Sequence, residues 1–524
     1  MRNPLRLKSC QVFCALLALV AAVPEYAVAG AVQGDIQFMV NRFVIDGQSP
    51  IDEAAVQSAL RPYTGRALAF SDLEAAAGVL TAAFQAAGFP FYRVTLPPQR
   101  IVDGSVTLRV VSYQLRDVRV EGNQNFDVEN ILGSLPPLRI GASPNTLAVA
   151  RALQFANEHP SKRVAVFVKQ EPGADGINAR VEARDTRPYQ IFASVNNTGT
   201  TNPGRTRAAV GLQHSNLFNR DHVLTATYTT SPENVSDVSQ YGADYRLPIY
   251  SLATELEAFY TYSEIDQGTV ANFFDVSGRG QFFGFSATHT LVPEGAYNHK
   301  VAIGYQDRFF DNETRYQGTA LTPDVRATPV SFRYTANYEP KNFVIGGYAG
   351  WEFNAGFGDY NTQAGYTANR VGADKYWNKL SGGGHLRWVL PGDYQVRGSV
   401  SGQYSRQPLI PGEQFGIGGS RSVRGYEERE VTGDFGIQGG LEAWSRPLIA
   451  DARIVVFAEA GEVRRHAPHS EAEDRKALSG AGAGIRWNWK GYIDISCDVA
   501  YAFNDAVTTE AGDTRFLYQV FLRY

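Results

Sequence analysis

The chain has 524 residues and is rich in glycine and aromatic residues, with 51 Gly, 27 Tyr and 30 Phe. Because an ordinary domain has about 100–200 residues, this length predicts two or three domains. A mean hydropathy of −0.25 excludes a helical membrane protein, which needs long apolar segments. The formal net charge of −4 gives no reason to expect a nucleic-acid partner.

Residues 1–29 have the pattern of a secretory signal peptide. Basic residues precede an apolar run at positions 12–23, and Ala27-Val28-Ala29 has the small residues of a cleavage site. The alternative is an N-terminal membrane anchor, but the run is shorter than the roughly 20 residues of a spanning helix. Cleavage would leave Cys497 as the single cysteine, so the mature chain cannot form an intramolecular disulfide.

Two units of similar order are predicted next, over residues 30–112 and 113–186. In each, a strand is followed by two helices and then by two more strands, which gives two small α+β domains of β-α-α-β-β order. Ser49 and Ser143 are predicted N-caps, because each precedes a proline at the expected start of a helix.

Short motifs in these units resemble the POTRA domains of two-partner secretion transporters. The motifs of the first unit are Ala87-Gly88-Phe89, Leu96-Pro97-Pro98-Gln99 and Val102-Asp103-Gly104, and that of the second is Val118-Arg119-Val120-Glu121-Gly122-Asn123. The resemblance implies an exposed sheet edge, where an extended chain can add a strand through main-chain hydrogen bonds. The alternative is that the two domains are spacers that only set a distance.

From residue 189 onward the hydrophobic period changes to two, as in β-strands. In residues 394–405, apolar, aromatic and glycine residues occupy the even positions and polar residues the odd ones. Strands of about 10 residues with aromatic ends are typical of an outer-membrane barrel. The predicted fold is therefore mainly β, with a transmembrane β-barrel of about 16 strands over residues 187–524 after the two α+β domains.

The connections between the predicted strands alternate between short and long. Short turns on the periplasmic side and long loops outside are typical of such barrels, so both ends of the barrel domain are predicted in the periplasm. The sixth external loop, residues 407–432, spans roughly 80 Å when extended. Doubled back, it reaches roughly 40 Å and can enter a lumen whose apolar band is about 25 Å tall.

An arginine at the tip of this loop needs a carboxylate in the lumen. The alternation of faces places Glu459 on the lumenal side of its strand and Glu442 on the lumenal side of the preceding strand. The planar guanidinium of arginine suits a carboxylate partner better than a lysine would.

Two motifs resemble the POTRA-barrel superfamily here. Val423-Arg424-Gly425-Tyr426 is similar to its VRGY/F motif in the sixth loop, and Phe457-Ala458-Glu459-Ala460-Gly461 is similar to its F-x-D-x-G strand. The resemblance implies that the loop folds into the barrel and that Arg424 pairs with Glu459, although Glu stands where the family usually has Asp. The alternatives are a pair with Glu442 and an Arg424 that is solvated outside the barrel.

Taken together, the chain resembles a two-partner secretion transporter (TpsB) of the haemolysin secretion/activation type. The resemblance implies a monomer in the lipid of the bacterial outer membrane, with the POTRA domains in the periplasm and no nucleic-acid partner. It implies capture of an unfolded secreted exoprotein that carries an N-terminal secretion domain, and translocation of that partner to the cell surface without ATP. The alternatives are a POTRA-barrel assembly factor or insertase for outer-membrane proteins and a simple diffusion porin.

No catalytic, metal or cofactor site is predicted. The sequence has no HExxH, GxSxG or P-loop spacing, and its eight histidines are scattered. Gly480-Ala481-Gly482-Ala483-Gly484 has the glycines of a nucleotide loop, but it alternates as a strand and no helix follows. The protein is therefore not expected to be an enzyme.

Overall fold

Two small α/β units precede one large closed sheet in the computed structural model of the chain. The predicted signal peptide, residues 1–29, and its cleavage site lie outside the described residues. None of the described helices is long and apolar enough to cross a membrane. The structure describes residues 37–170, 176–200, 204–236, 238–263, 268–270, 274–276, 279–311, 315–316, 319–320, 323–466 and 475–524.

The first unit packs two helices against a three-stranded sheet. Its elements are β1 (Phe38–Val40), β2 (Arg42–Asp46), α1 (Glu53–Leu60), β3 (Arg66–Leu68), α2 (Phe70–Ala86), β4 (Tyr92–Thr95) and β5 (Ser105–Ser112). The sheet order is β2-β5-β4, with β2 parallel to β5, and β1 pairs with β3 as a separate ribbon. α2 buries Leu73, Leu80 and Phe84 in the core, because these positions share one helical face.

The second unit repeats this order. Its elements are β6 (Gln114–Glu121), α3 (Val128–Gly133), α4 (Thr146–Ala156), β7 (Lys162–Gln170) and β8 (Gly176–Asp185). The sheet order is β6-β8-β7, so β7 is an edge strand that pairs with β8 alone. Ile131 from α3, Ala152 from α4 and Val181 from β8 meet in the core.

The helix caps differ from the predicted ones, Ser49 and Ser143. The caps are Asp52 for α1 and Asn145 for α4, and each accepts a hydrogen bond from the backbone N–H three residues later, at 2.7 and 2.9 Å. Asparagine and aspartate cap helices at least as well as serine. Asn145 also donates to the carbonyl of Ala87 at 3.0 Å, so it joins the two units.

The rest of the chain forms a closed antiparallel barrel. β20 and β21 are one barrel strand interrupted at Thr328, so sixteen strands close the barrel and the predicted fold class is confirmed. The short pairs β14–β15, β18–β19 and β25–β26 are ribbons within loops. In chain order the elements are β9 (Tyr189–Asn196), β10 (Arg207–Leu217), β11 (His222–Thr230), β12 (Gln240–Ile249), β13 (Thr254–Ser263), β14 (Gly268–Val270), β15 (Phe274–Val276), β16 (Gly280–Thr290), β17 (Tyr297–Phe310), β18 (Arg315–Tyr316), β19 (Thr319–Ala320), β20 (Val325–Ala327), β21 (Pro329–Tyr338), β22 (Phe343–Asn354), α5 (Gln363–Asn369), β23 (Asn378–Val389), β24 (Gln395–Ser405), β25 (Phe415–Ile417), β26 (Val431–Gly433), β27 (Phe435–Trp444), β28 (Arg453–Arg464), β29 (Arg475–Trp489), β30 (Ile493–Ala502) and β31 (Thr514–Arg523).

The barrel strands alternate between an apolar outer face and a lumenal face that bears polar side chains. On β24, Val400 and Tyr404 are exposed on the outer wall, and Phe516 and Leu522 are exposed on the outer wall of β31. The second unit contacts the short turn between β10 and β11 through Lys162. The short turns and the N-terminal units therefore lie at the same end of the barrel.

The barrel closes through a short ladder between its first and last strands. β31 and β9 pair over five residues, whereas β9 and β10 pair over eight. Beyond Asn196, the side-chain amide of Asn197 donates to Phe516 O at 2.7 Å and accepts from Tyr518 N at 2.9 Å. Because an asparagine amide carries the donor and the acceptor of a peptide group, it extends the ladder where the backbone has left it.

Asp185 at the end of β8 holds the loop that follows β6. Its carboxylate accepts backbone hydrogen bonds from Gln124 at 3.0 Å, Asn125 at 3.0 Å and Phe126 at 2.9 Å, and one from the Asn125 side chain at 3.0 Å. Burial raises the pKa of Asp185, but the hydrogen bonds from Asn125, Gln124 and Phe126 outweigh it, so the pKa lies below its ordinary value.

Asp185→Ala is expected to destabilise this loop by about 1–2 kcal/mol, because three backbone donors lose a charged acceptor. Since the folded-state pKa is depressed, this stabilisation is present above the unfolded pKa and is lost as the pH falls through the folded pKa. Hydrogen-exchange protection of amides 124–126 in the full-length protein at pH 7 measures the effect. Asp117→Ala, which removes only an exposed pair with Arg119, is the control, and equal protection in both variants would contradict the prediction.

Candidate functional site

The connection between β24 and β27, here called loop six (residues 406–434), folds back into the barrel. β25 and β26 form a ribbon within it, and the tip between them carries Val423, Arg424, Gly425 and Tyr426. Val423 and Tyr426 are fully buried, and Arg424 is 4 % exposed. The tip of loop six is therefore packed against the lumenal wall and is not solvated outside the barrel.

Arg424 binds three carboxylates of the wall. Its Nε and Nη2 donate to Glu459 Oε1 at 2.9 and 2.5 Å, and Nη2 also donates to Glu442 Oε1 at 2.6 Å. Nη1 donates to Asp498 Oδ2 on β30 at 3.1 Å. The structure thus brings Arg424 together with both acids that the sequence offered as alternatives, and with a third acid that sequence reasoning missed.

Glu459 binds loop six through both carboxylate oxygens. While Oε1 accepts from the guanidinium, Oε2 accepts from the backbone N–H of Arg424 at 2.8 Å. The guanidinium carbon lies 3.4 Å from the centre of the Phe457 ring, so the arginine also stacks on the strand. The glutamate therefore holds the position of the loop backbone as well as the charge.

The acid cluster has a second guanidinium. Arg486 on β29 binds Asp498 with both Nη atoms, at 2.6 and 2.9 Å, and Trp444 Nε1 donates to Glu442 at 2.8 Å. Three carboxylates therefore face the guanidinium groups of Arg424 and Arg486. The sequence did contain a signal for Asp498 and Arg486. Each is a charged residue at a lumenal strand position, and its neighbours in sequence are mostly apolar or small.

Glycines on β29 leave room for these contacts. A Cβ at Gly480 would lie 2.5 Å from Arg424 O, and one at Gly482 would lie 2.5 Å from the Phe457 ring. A Cβ at Gly484 would lie 1.9 Å from Asp498 Oδ1. Of the alternating glycines that resembled a nucleotide loop, Gly480 therefore lies against the tip of loop six, and Gly482 and Gly484 leave room for the wall side chains that contact Arg424.

The other residues of the predicted motif shape the tip. Gly425 has φ +107°, which a residue with a side chain rarely adopts. The Tyr426 hydroxyl accepts from Asn504 N at 3.0 Å and donates to Ser479 O at 2.9 Å. Gly461 on β28 keeps space for Ile417 of loop six, whose Cδ1 would lie 3.2 Å from an added Cβ.

Loop six has two further charged anchors, which sequence reasoning missed. Glu413, whose side chain is fully buried, accepts from Arg308 on β17 at 2.7 Å and from Lys379 on β23 at 2.8 Å. Asp434 is fully buried and binds Arg370 with both oxygens, at 2.5 and 2.8 Å. Glu413 thus binds the segment of loop six before its tip to the barrel wall. Asp434 binds the segment after the tip to the connection before β23.

The tip of loop six also meets both sides of the barrel seam. Glu427 accepts from Arg515 on β31 at 2.6 Å and from Arg205, just before β10, at 3.4 Å. Glu430 accepts backbone hydrogen bonds from Thr508 and Thr509 in the last long loop, at 2.7 and 2.8 Å. Loop six is therefore in contact with the wall on which the barrel closes.

A cavity of about 930 Å³ lies between loop six and the wall formed by β9 to β12. Ser194, Asn196, Thr229 and Gln240 line it from that wall, and Arg424 and Glu459 line it from the side of loop six. The lining is mixed but mostly polar, so this part of the lumen suits water and polar chains.

Two family models match the chain. The model described as "Haemolysin secretion/activation protein ShlB/FhaC/HecB" matches residues 175–487, and the model described as "POTRA domain, ShlB-type" matches residues 38–112. The second match coincides with the first unit.

Curated relatives are similar over most of the chain. The outer membrane transporter CdiB of Dickeya dadantii is 22% identical over 423 residues, which cover 76% of this chain and 72% of that protein. The heme/hemopexin transporter protein HuxB of Haemophilus influenzae is 20% identical over 396 residues, which cover 72% of this chain and 66% of that protein.

Solved structures share the fold. CdiB from Escherichia coli superposes with a TM-score of 0.72 at 16% identity, covering 96% of this chain and 93% of that one. BamA from Haemophilus ducreyi, lacking POTRA domains 1–3, gives a TM-score of 0.50 at 14% identity and covers 93% of this chain and 100% of that one. Because the first family model spans more than half of the sequence, the chain belongs to the haemolysin secretion/activation protein ShlB/FhaC/HecB family.

Proposed function

We propose that this protein captures an unfolded secreted partner in the periplasm and passes it through its barrel to the cell surface. The observation that carries the proposal is loop six, which enters a closed barrel and is held there by buried ion pairs beside a polar cavity. Membership of a secretion family and the likeness to outer-membrane transporters support it. A porin would have no use for two folded units at its entrance.

The free sheet edges of the two units are the proposed capture sites. β2 and β4 are the edges of the first sheet, and β6 and β7 are the edges of the second. An extended chain can pair with such an edge through main-chain hydrogen bonds, which makes little demand on its sequence. Capture therefore suits a partner that arrives unfolded.

The proposed transport uses no ATP. Folding of the partner outside the cell would supply the direction, because a folded chain cannot slip back through the lumen. The partner is an exoprotein with an N-terminal secretion domain, in line with the secretion family to which the chain belongs.

We propose the same division of the chain that the sequence predicts. Residues 1–29 would be a signal peptide, residues 30–112 and 113–186 the two POTRA domains, and residues 187–524 the barrel. The barrel leaves no unpaired strand edge in the described residues, so a monomer satisfies its backbone without a second copy.

The alternative function is assembly of outer-membrane proteins. The likeness to BamA supports a common fold, and an assembly factor would also present sheet edges in the periplasm. The two functions differ in the number of client proteins that they serve.

Deletion of the gene is expected to remove one large exoprotein from the culture medium and to leave the outer-membrane protein profile unchanged. Quantitative mass spectrometry of the medium and of the outer membrane measures both, with the gene restored in trans as the control. A general fall in outer-membrane proteins would favour the assembly factor, and unchanged secretion would contradict transport.

Arg424→Ala is expected to lower secretion about tenfold or more, because it leaves three lumenal carboxylates facing one guanidinium. The barrel should still insert, since its sixteen-strand ladder does not depend on loop six. The amount of secreted partner measures the first effect. The mobility shift of the unheated protein on gels shows whether the barrel has folded. Arg464→Ala removes an exposed pair with Glu462 on the same strand as Glu459 and should secrete normally. Normal secretion by Arg424→Ala would refute the proposed role.

Glu459→Asp and Glu459→Gln separate charge from reach. Aspartate keeps the charge but is too short to bind both the guanidinium and the backbone N–H of Arg424, whereas glutamine keeps the reach and loses the charge. We expect secretion to fall about threefold for Glu459→Asp and about tenfold for Glu459→Gln, since charge-assisted hydrogen bonds are roughly twice as strong as neutral ones. The same secretion assay measures both, and equal secretion by the two variants would show that charge does not decide the role.

A further inference from the structure

A buried polar cluster joins the second unit to the rim of the barrel. Lys162, the first residue of β7, forms an ion pair with Asp221 in the turn between β10 and β11, and the two side chains are 0% and 1% exposed. Tyr250 donates to Asp221 Oδ2 at 2.5 Å, and Asn130 donates to Asp221 Oδ1 at 2.9 Å. Lys162 also donates to Asn130 Oδ1 at 2.8 Å. Lys162 and Asp221 therefore each have at least one partner in the second unit and at least one in the barrel.

Further contacts surround these four residues, Asn130, Lys162, Asp221 and Tyr250, which are here called the rim cluster. His159 lies 2.6 Å from Ser215 O, and the hydroxyls of Ser161 and Ser215 are 2.7 Å apart. Lys300 at the start of β17 pairs with Glu158 at 2.5 Å. The interface therefore reaches three places on the rim.

Burial makes this junction specific. A movement of the second unit that separated Lys162 from Asp221 without admitting water would leave each charge buried without its counter-charge. Asp221 sits at φ +61°, so the turn presents its carboxylate from an uncommon backbone conformation. Any other docking angle would bury unpaired charge, and the contacts thus select a single orientation.

The rim cluster lies at one end of a sheet edge. β7 starts at Lys162 and pairs with β8 alone. Next to the rim this edge is capped, because the Asn157 side-chain amide accepts from Val164 N at 2.6 Å and donates to Val164 O at 2.9 Å. The part of β7 beyond Val164 carries the exposed Phe167 and is the part with which an added strand can pair. An extended chain paired there would point toward the barrel rim.

We propose that Lys162 and Asp221 are positioning residues for secretion, which hold the β7 edge against the barrel so that a captured chain is delivered to the lumen. This inference rests on the proposed transport function and adds where the partner is handed from the second unit to the barrel. The proposal requires the second unit to keep this orientation during transport, because separating Lys162 from Asp221 would remove the counter-charge of each.

The first test compares two lysine substitutions. Lys162→Met keeps the length of the side chain and strands the Asp221 charge, and it is expected to lower secretion about tenfold. Lys341→Met makes the same change at an exposed residue in the short turn between β21 and β22 and should secrete normally. Equal losses in both variants would assign the effect to the loss of a positive charge and would overturn the proposal, as would normal secretion by Lys162→Met.

The second test restores the docking covalently. Ser161→Cys with Ser215→Cys, in a Cys497→Ser background, replaces two hydroxyls at 2.7 Å with thiols that can form a disulfide. Added to Lys162→Met, the cross-link should recover secretion when oxidised and lose it again on reduction, which a variant that merely fails to fold would not show. In the otherwise native chain the oxidised protein should secrete normally.

Three outcomes would overturn the proposal. They are a cross-link that forms without rescuing Lys162→Met, a cross-link that blocks secretion by the native chain, and cysteines that do not cross-link at all. If the protein without substitutions also secretes no partner, the proposed function fails instead, and the cross-link still reports whether the docked geometry exists.

Discussion

A wall inside a bilayer must pair every backbone N–H and C=O within itself, and this constraint governs the rest of the molecule. Sixteen strands meet it by closing on one another, and the amide of Asn197 completes the ladder where the first strand ends early. Closure turns alternate side chains inward, so the strands carry lumenal polar groups that a soluble core would not tolerate. The enclosed space is large enough to receive a loop, and loop six enters it.

Charge and apolar packing both hold loop six in place, since its ion pairs lie beside the buried side chains of Ile417, Val423 and Tyr426. Arg424 is bound to one wall of the lumen and Glu413 to another, while Asp434 is bound at the base of the loop. A buried ion with all its partners on fixed strands has few alternative positions, because moving it exposes an unpaired carboxylate or guanidinium. The same logic recurs at the barrel rim, where Lys162 and Asp221 fix the second unit.

The sequence could predict what depends on local period and on short motifs. Strand alternation placed Glu459 and Glu442 on the lumenal face, and the resemblance of the loop and strand motifs paired Arg424 with Glu459. Asp498 was missed because it lies 74 residues from Arg424 in sequence, and only the register of the closed barrel brings the two together. The caps at Ser49 and Ser143 were wrong because a nearby Asp or Asn serves equally well as a cap, and Asn145 in addition donates to Ala87 O.

The wall of β9 to β12 has a consequence for any polypeptide inside the barrel. Ser194, Thr229 and Gln240 offer it hydroxyl and amide groups, and the guanidinium of Arg207 is engaged by the carbonyls of Gly204 and Thr206. Such groups exchange hydrogen bonds with any peptide unit and hold none of them strongly. A moving chain would exchange one hydrogen-bond partner for the next at nearly constant energy. This wall would therefore resist the passage of a polypeptide only weakly, whatever its sequence.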